Sequence, residues 1–208
     1  AIARLPRERT AGLLMLVMMA PLGPAVEGQF DRPADRVVMS AIEIEAPPAA
    51  VWEHVVSFSD IQAPPGWLFR TGLAYPVRAR IDGSGVGAVR WCVFSTGTFR
   101  EPITVWDAPN VLAFDVSQQA PPLAEWSPYS RVYATHIEGF FRTSRGEFRL
   151  VPVGVDRTRL EGRTWYALDM APALYWTAVA DTIVHAIHAR VLEHVKTEAE
   201  RGSEGAVR

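Results

Sequence analysis

At 208 residues, 49% of them hydrophobic, the chain can hold one domain with a sizeable core and is short for two. A net charge of −2, with no cluster of basic residues interleaved with aromatics, argues against a nucleic-acid partner. Cys92 is the only cysteine, so an intrachain disulfide and a cysteine-built metal site are both excluded.

The chain opens with Arg4, Arg7 and Arg9, followed from Thr10 to Val26 by a stretch without charge. That is the layout of a secretory signal, a short anchor, or the end of a membrane helix, and all three place the domain that follows on the extracytoplasmic side. A cytoplasmic domain carrying a loose apolar helix is the alternative. Residues 1–26 are therefore expected to form a membrane-proximal segment and residues 27–36, polar and proline-containing, a linker.

Val37 to Glu45 alternates apolar and polar residues, the pattern of a strand with one dry face. Ala46-Pro47-Pro48 stops it, and prolines suit the first turn of the short helix that AAVWEHVVSF begins, with Val51, Trp52, Val55 and Val56 as its buried face. A second short helical piece, broken by Pro64-Pro65-Gly66, is anchored by Trp67, Leu68 and Phe69. From Tyr75 the period is two for about ninety residues. It covers YPVRARI, AVRWCVFSTGTF, PITVWDAP, VLAFDVSQ, GEFRLVPV and RTRLEGRTWYAL. Gly83 to Gly87 is a hairpin turn and not a dinucleotide fingerprint, because a strand and not a helix follows it. In the last strand Arg159, Glu161, Arg163 and Trp165 should face water. Leu160, Gly162, Thr164 and Tyr166 should face the interior, where the two hydroxyls need each other, a water or a bound molecule.

Gln119 to Phe141 is a long connection rich in aromatics, of the kind that forms a lid. Met170 to Glu200 then reads as one long amphipathic helix, with Trp176, Ala180, Ile183, Ile187, Val191 and Val195 on a single stripe. Residues 37–200 form the domain and 201–208 a disordered tail.

This order of elements resembles the helix-grip fold of the START and Bet v 1-like superfamily, which includes polyketide cyclase/dehydrase-like and lipid-transport proteins. The resemblance is carried by Ile42 to Trp52 (IEIEAPPAAVW), the Gly-x-Gly-x-Gly turn at 83 to 87, and Thr158-Arg159-Leu160 before the last helix. It implies an α+β domain in which a curved antiparallel sheet, with two short helices after its first strand, wraps around the long C-terminal helix. It implies a cavity between sheet and helix for a lipid, a polyketide or a similar hydrophobic small molecule. The residues expected to contact that molecule are Trp91, Phe114, Phe148, Thr164, Tyr166, Trp176, Ile183 and Ile187, with Trp126, Tyr129, Tyr133, His136 and Phe140 from the lid.

Binding or transport is the first functional reading, with a membrane as second partner through the N-terminal segment. A cyclase or dehydratase acting through Tyr166, His136 and Asp115 is the alternative. There is no Gly-x-Ser-x-Gly nucleophile motif, and Cys92 lies in an apolar strand that should raise its pKa. Asp181, His185 and His188 project from one side of the helix at spacings that metal sites use. Without a third convincing ligand elsewhere they read as pairing chemistry, and neither a metal nor a cofactor is expected.

Overall fold

The computed structural model describes residues 35–124 and 139–206. Strand β1 (Arg36–Ile44) leads through Ala46-Pro47 into helix α1 (Pro48–Val56), whose first turn accepts Pro48 because that position needs no N–H donor. Val51, Trp52 and Val55 are its buried face. A 3-10 helix (Trp67–Thr71) follows, held by Phe69; Trp67, expected to share that anchoring, is 77% exposed. Six strands then run β2 (Pro76–Asp82), β3 (Val89–Phe94), β4 (Gly97–Asp107), β5 (Val111–Asp115), β6 (Phe141–Pro152) and β7 (Thr158–Leu168). Helix α2 (Ala173–Ala206) closes the chain.

All seven strands form one sheet in the order β1-β7-β6-β5-β4-β3-β2, with every pairing antiparallel. The sheet curls around α2 in the helix-grip arrangement, so the fold expected from the sequence is the fold found. Three boundaries differ. Helix α2 runs on through 201–206, which were expected to belong to a disordered tail, because no residue there breaks the helix before Ala206. The chain reverses at Ser95-Thr96, splitting the expected strand 88–99, and Pro102 is no break because it lies at the end of the ladder opposite Val89. β6 begins at Phe141, so Phe141 belongs to the sheet and not to the preceding connection, and the strand expected from Gly146 starts five residues earlier. Between β2 and β3 the turn uses Gly83, Gly85 and Gly87 at φ of 87°, 79° and 91°, a region that only glycine enters freely.

The main core lies where α1, α2 and the sheet meet, around Ile44, Val51, Val55, Leu112, Leu160, Leu192 and Val195. Trp52 closes it edge-on against Trp106 at 5.5 Å. The N-terminal half of α2 is clamped to β1 by polar contacts. Arg36 donates to Asp181 and Ser40 lies between His185 and His188. Farther along, Lys196 Nζ donates to the Glu43 carbonyl at 2.8 Å, and the Glu45 N–H donates to Glu200 at 2.8 Å. No helix among the described residues is long and apolar enough to cross a membrane.

Candidate functional site

A cavity of about 650 Å³ lies between the sheet and α2. Phe94, Phe99, Phe114 and Phe148 supply its sheet side; Trp176, Val179, Ile183, Val184 and Ile187 supply its helix side. Leu73, Leu123, Phe140, Phe141, Leu168 and Met170 line it as well. One wall position gives its space to an aromatic ring: a Cβ on Gly146 would stand 2.4 Å from the Phe114 ring, so the ring lies across the bare backbone. At Gly162 a Cβ would meet Leu192, Phe148 and His188 only in ordinary contact, at 3.7 to 3.9 Å.

Gln119, Thr143, Glu147 and Arg163 line the cavity as well, and two further polar clusters enter its walls. On β3 and β4, Arg90 and Glu101 are opposite one another and both buried, with the Arg90 Nη1 donating to Glu101 Oε2. Arg90 also donates through Nε to the Val56 carbonyl at 3.2 Å, and its guanidinium stands 5.3 to 5.7 Å from the rings of Phe58, Phe114 and Phe148. Burial works against the Arg90 charge, Glu101 and Cys92 favour it, and the guanidinium ends above its ordinary value. Burial raises the Glu101 carboxyl, and Arg90 pulls it back only in part. The neighbouring Cys92 thiol is pushed up to about 12, chiefly by burial, so it is no nucleophile. A charged pair enclosed by aromatic faces gives a polar spot with no net charge.

The second cluster is where β7 meets α2. Thr164 Oγ1 is 2.8 Å from His188 Nε2, His188 Nδ1 is 3.1 Å from Ser40 Oγ, and Ser40 Oγ is 2.8 Å from His185 Nδ1. Thr164 and His188 line the cavity, whereas His185 is exposed. Burial lowers His188 to about 4, with His185 adding a little in the same direction. One turn earlier, Asp181 accepts from Arg36 and from the Tyr166 hydroxyl, the latter at 2.7 Å. The bond from Arg36 holds the Asp181 carboxyl below its ordinary value; burial and then Asp181 raise the Tyr166 phenol.

Of the residues expected to contact a ligand, Phe114, Phe140, Phe148, Thr164, Trp176, Ile183 and Ile187 all line this cavity. Trp91 does not. Alternation along β3 turns Arg90 and Cys92 inward and Trp91 outward, where its Nε1 donates to Asp82 at 2.7 Å and its ring lies between Arg80 and Arg100. Tyr166 is fully buried but does not line the cavity, because it stacks on Phe141 and bonds Asp181. Asp115 is exposed on the outer face opposite Arg145. Trp126, Tyr129, Tyr133 and His136, in the middle of the proposed lid, lie outside the described residues. The hydroxyls of Thr164 and Tyr166 both find partners on α2, His188 and Asp181. Asp181, His185 and His188 are engaged with β1 and β7, and among the described residues no three metal-ligating side chains are grouped to hold an ion. Sequence reading missed Arg90 and Glu101. Two charged residues in otherwise apolar strand stretches were the only signal for them.

A family model for "Polyketide cyclase / dehydrase and lipid transport" matches residues 35–200. Among solved structures, the Zhui aromatase/cyclase from Streptomyces sp. R1128 is similar at 17% identity and a TM-score of 0.54, over 83% of this chain and 98% of that one. A norcoclaurine synthase point mutant from Thalictrum flavum, in complex with a transition-state analogue, is similar at 12% identity and a TM-score of 0.51, over 84% and 99%. At such identities the likeness is one of fold. No curated protein matches the chain.

Proposed function

The chain belongs to the polyketide cyclase/dehydrase and lipid transport family, and from that membership we propose that its cavity binds a neutral hydrophobic small molecule, such as a lipid or a polyketide. The observation that carries this reading is the cavity itself: about 650 Å³ walled mainly by Phe, Leu, Ile and Val side chains. That volume is within the range of small-molecule sites. Arg90 and Glu101 neutralise each other, so the polar spot on the wall suits a hydroxyl or carbonyl better than a free carboxylate or phosphate. The charge-free run from Thr10 to Val26, preceded by arginines, supports a position beside a membrane, where such molecules partition.

Titration with the fluorescent hydrophobe N-phenyl-1-naphthylamine tests the reading. The protein should bind one equivalent, and Ile187→Trp, which places an indole in the cavity, should remain folded and bind at least tenfold more weakly. Equal binding by both proteins, or none by the unaltered chain, would overturn it.

A further inference from the structure

Four side chains join the cavity to solvent, two of them, Thr164 and His188, lining it. Thr164 Oγ1, His188, Ser40 Oγ and His185 follow one another at 2.8, 3.1 and 2.8 Å, with Thr164 lining the cavity and His185 exposed. Each of the four can donate a proton on one side while accepting on the other. Two consistent directions therefore exist. In one, Thr164 donates to His188 Nε2, His188 Nδ1 donates to Ser40, and Ser40 donates to His185 Nδ1. In the other, every bond is reversed.

We infer that these residues form a proton relay, and that Thr164 is the group that takes a proton from, or returns one to, an acidic hydroxyl of a phenol or enol bound in the cavity. The inference rests on the cavity being a binding site. The step balances as follows. The ligand O–H passes its proton to Thr164 Oγ1 as the Thr164 proton moves to His188 Nε2. The His188 Nδ1 proton moves to Ser40, the Ser40 proton moves to His185 Nδ1, and His185 releases its Nε2 proton to water. The ligand is left as the oxyanion, water gains one proton, and every relay residue is neutral again with its bonds reversed.

His188 changes tautomer in this step and never becomes a buried cation. That suits its surroundings, since burial holds its protonation down to about 4. A single imidazole acting as a base would have to carry the charge there. The charged groups beside the outer end, Asp181 on α2 and Arg36 on β1, are paired with each other. On β7, His188 faces the uncharged Gly162 and Thr164.

The test uses 4-methylumbelliferone, whose phenol and phenolate forms absorb at different wavelengths, and its 7-methoxy analogue, which has no proton to give. Both should bind the protein and its Ser40→Ala variant with the same affinity. After a stopped-flow jump to alkaline pH, the bound phenol should ionise faster than the coumarin dissociates, and Ser40→Ala or Thr164→Val should slow that ionisation at least tenfold. An unchanged rate in Ser40→Ala, with binding intact, overturns the relay and leaves the cavity reading standing. Failure of both coumarins to bind tells against the cavity, and nitrogen NMR of labelled histidine then decides the relay by itself. A His188 signal averaged between two neutral tautomers supports the relay, and one fixed tautomer overturns it.

Discussion

Three buried titratable residues, His188 and the pair Arg90 and Glu101, set the chemistry of the interior. His188 is neutral in the folded chain down to about pH 4, against an ordinary value of 6.5. Between those values the unfolded chain binds a proton that the folded chain does not, so stability present above about pH 6.5 is lost as pH falls toward 4. The loss attributable to this residue reaches about 3 kcal/mol. Urea denaturation of the protein and of His188→Gln at neutral pH and near pH 4.5 isolates it, because other groups contribute equally to both curves. The variant should lose at least half of the acid-dependent fall, and parallel curves would show that His188 is wet. The Arg90–Glu101 pair behaves differently, since its cost appears when one partner is removed. Arg90→Met should destabilise the fold by roughly 3 to 5 kcal/mol by leaving Glu101 alone in an apolar wall, whereas Arg90→Met with Glu101→Leu should recover most of that. A single substitution costing under about 1 kcal/mol would mean that water reaches the carboxylate.

At the scale of elements, one strand position shapes the cavity wall by carrying no side chain. Gly146 on β6 lets the Phe114 ring of β5 lie over its backbone, and a Cβ there would meet ring carbons at 2.4 and 2.5 Å. Gly146→Ala should swing that ring away from the strand, lowering stability by about 1 to 3 kcal/mol. Naphthylamine binding measured beside the melting curve checks it, since the ring moves at the expense of the cavity. Unchanged values in both measurements would mean that the sheet yields instead of the ring. The elements themselves were legible, because period two between glycine and proline turns specifies antiparallel strands, and Val184, Val191 and Val195 recur at helical spacing. What a strand turns inward was less so. In β3 Trp91 was expected at the ligand, yet Arg90 and Cys92 point inward, so local polarity and fold disagree at the very place where the cavity has its charge. Thr164 and Tyr166 announced that they needed partners. Which partners, the helix residues Asp181 and His188, depended on a register between β7 and α2 that no local pattern encodes. The empty space was the least readable feature, since Ile183 and Ile187 lie on an apolar helix stripe that reads as core, and only the placed sheet shows that they line a cavity.

For the whole molecule, the order β1-β7 sets the first strand beside the last, so the sheet is completed by residues more than a hundred positions apart. Such pairing places the chain among the slower folders and makes β1 the strand on which closure depends. Its register with β7 runs from Arg36 opposite Tyr166 to Ile44 opposite Thr158. It also carries Arg36 and Ser40, which hold α2, and the preceding Asp35 accepts a bond from Ser144 at 2.8 Å. The domain is therefore proposed to begin close to Asp35, where the family match also begins. A chain of residues 35–206 should melt cooperatively within about 3 °C of the full chain, because a change of 1 kcal/mol moves the midpoint of a domain this size by roughly 2 to 4 °C. A chain starting at Ala41 loses the pairs from Arg36 to Ser40 with β7 and both clamps on α2. It should show no cooperative transition by circular dichroism. A fall of more than about 10 °C for residues 35–206 would place part of the stability in the segment before β1, and a cooperative transition in the shorter chain would show that the remaining strands grip α2 without it.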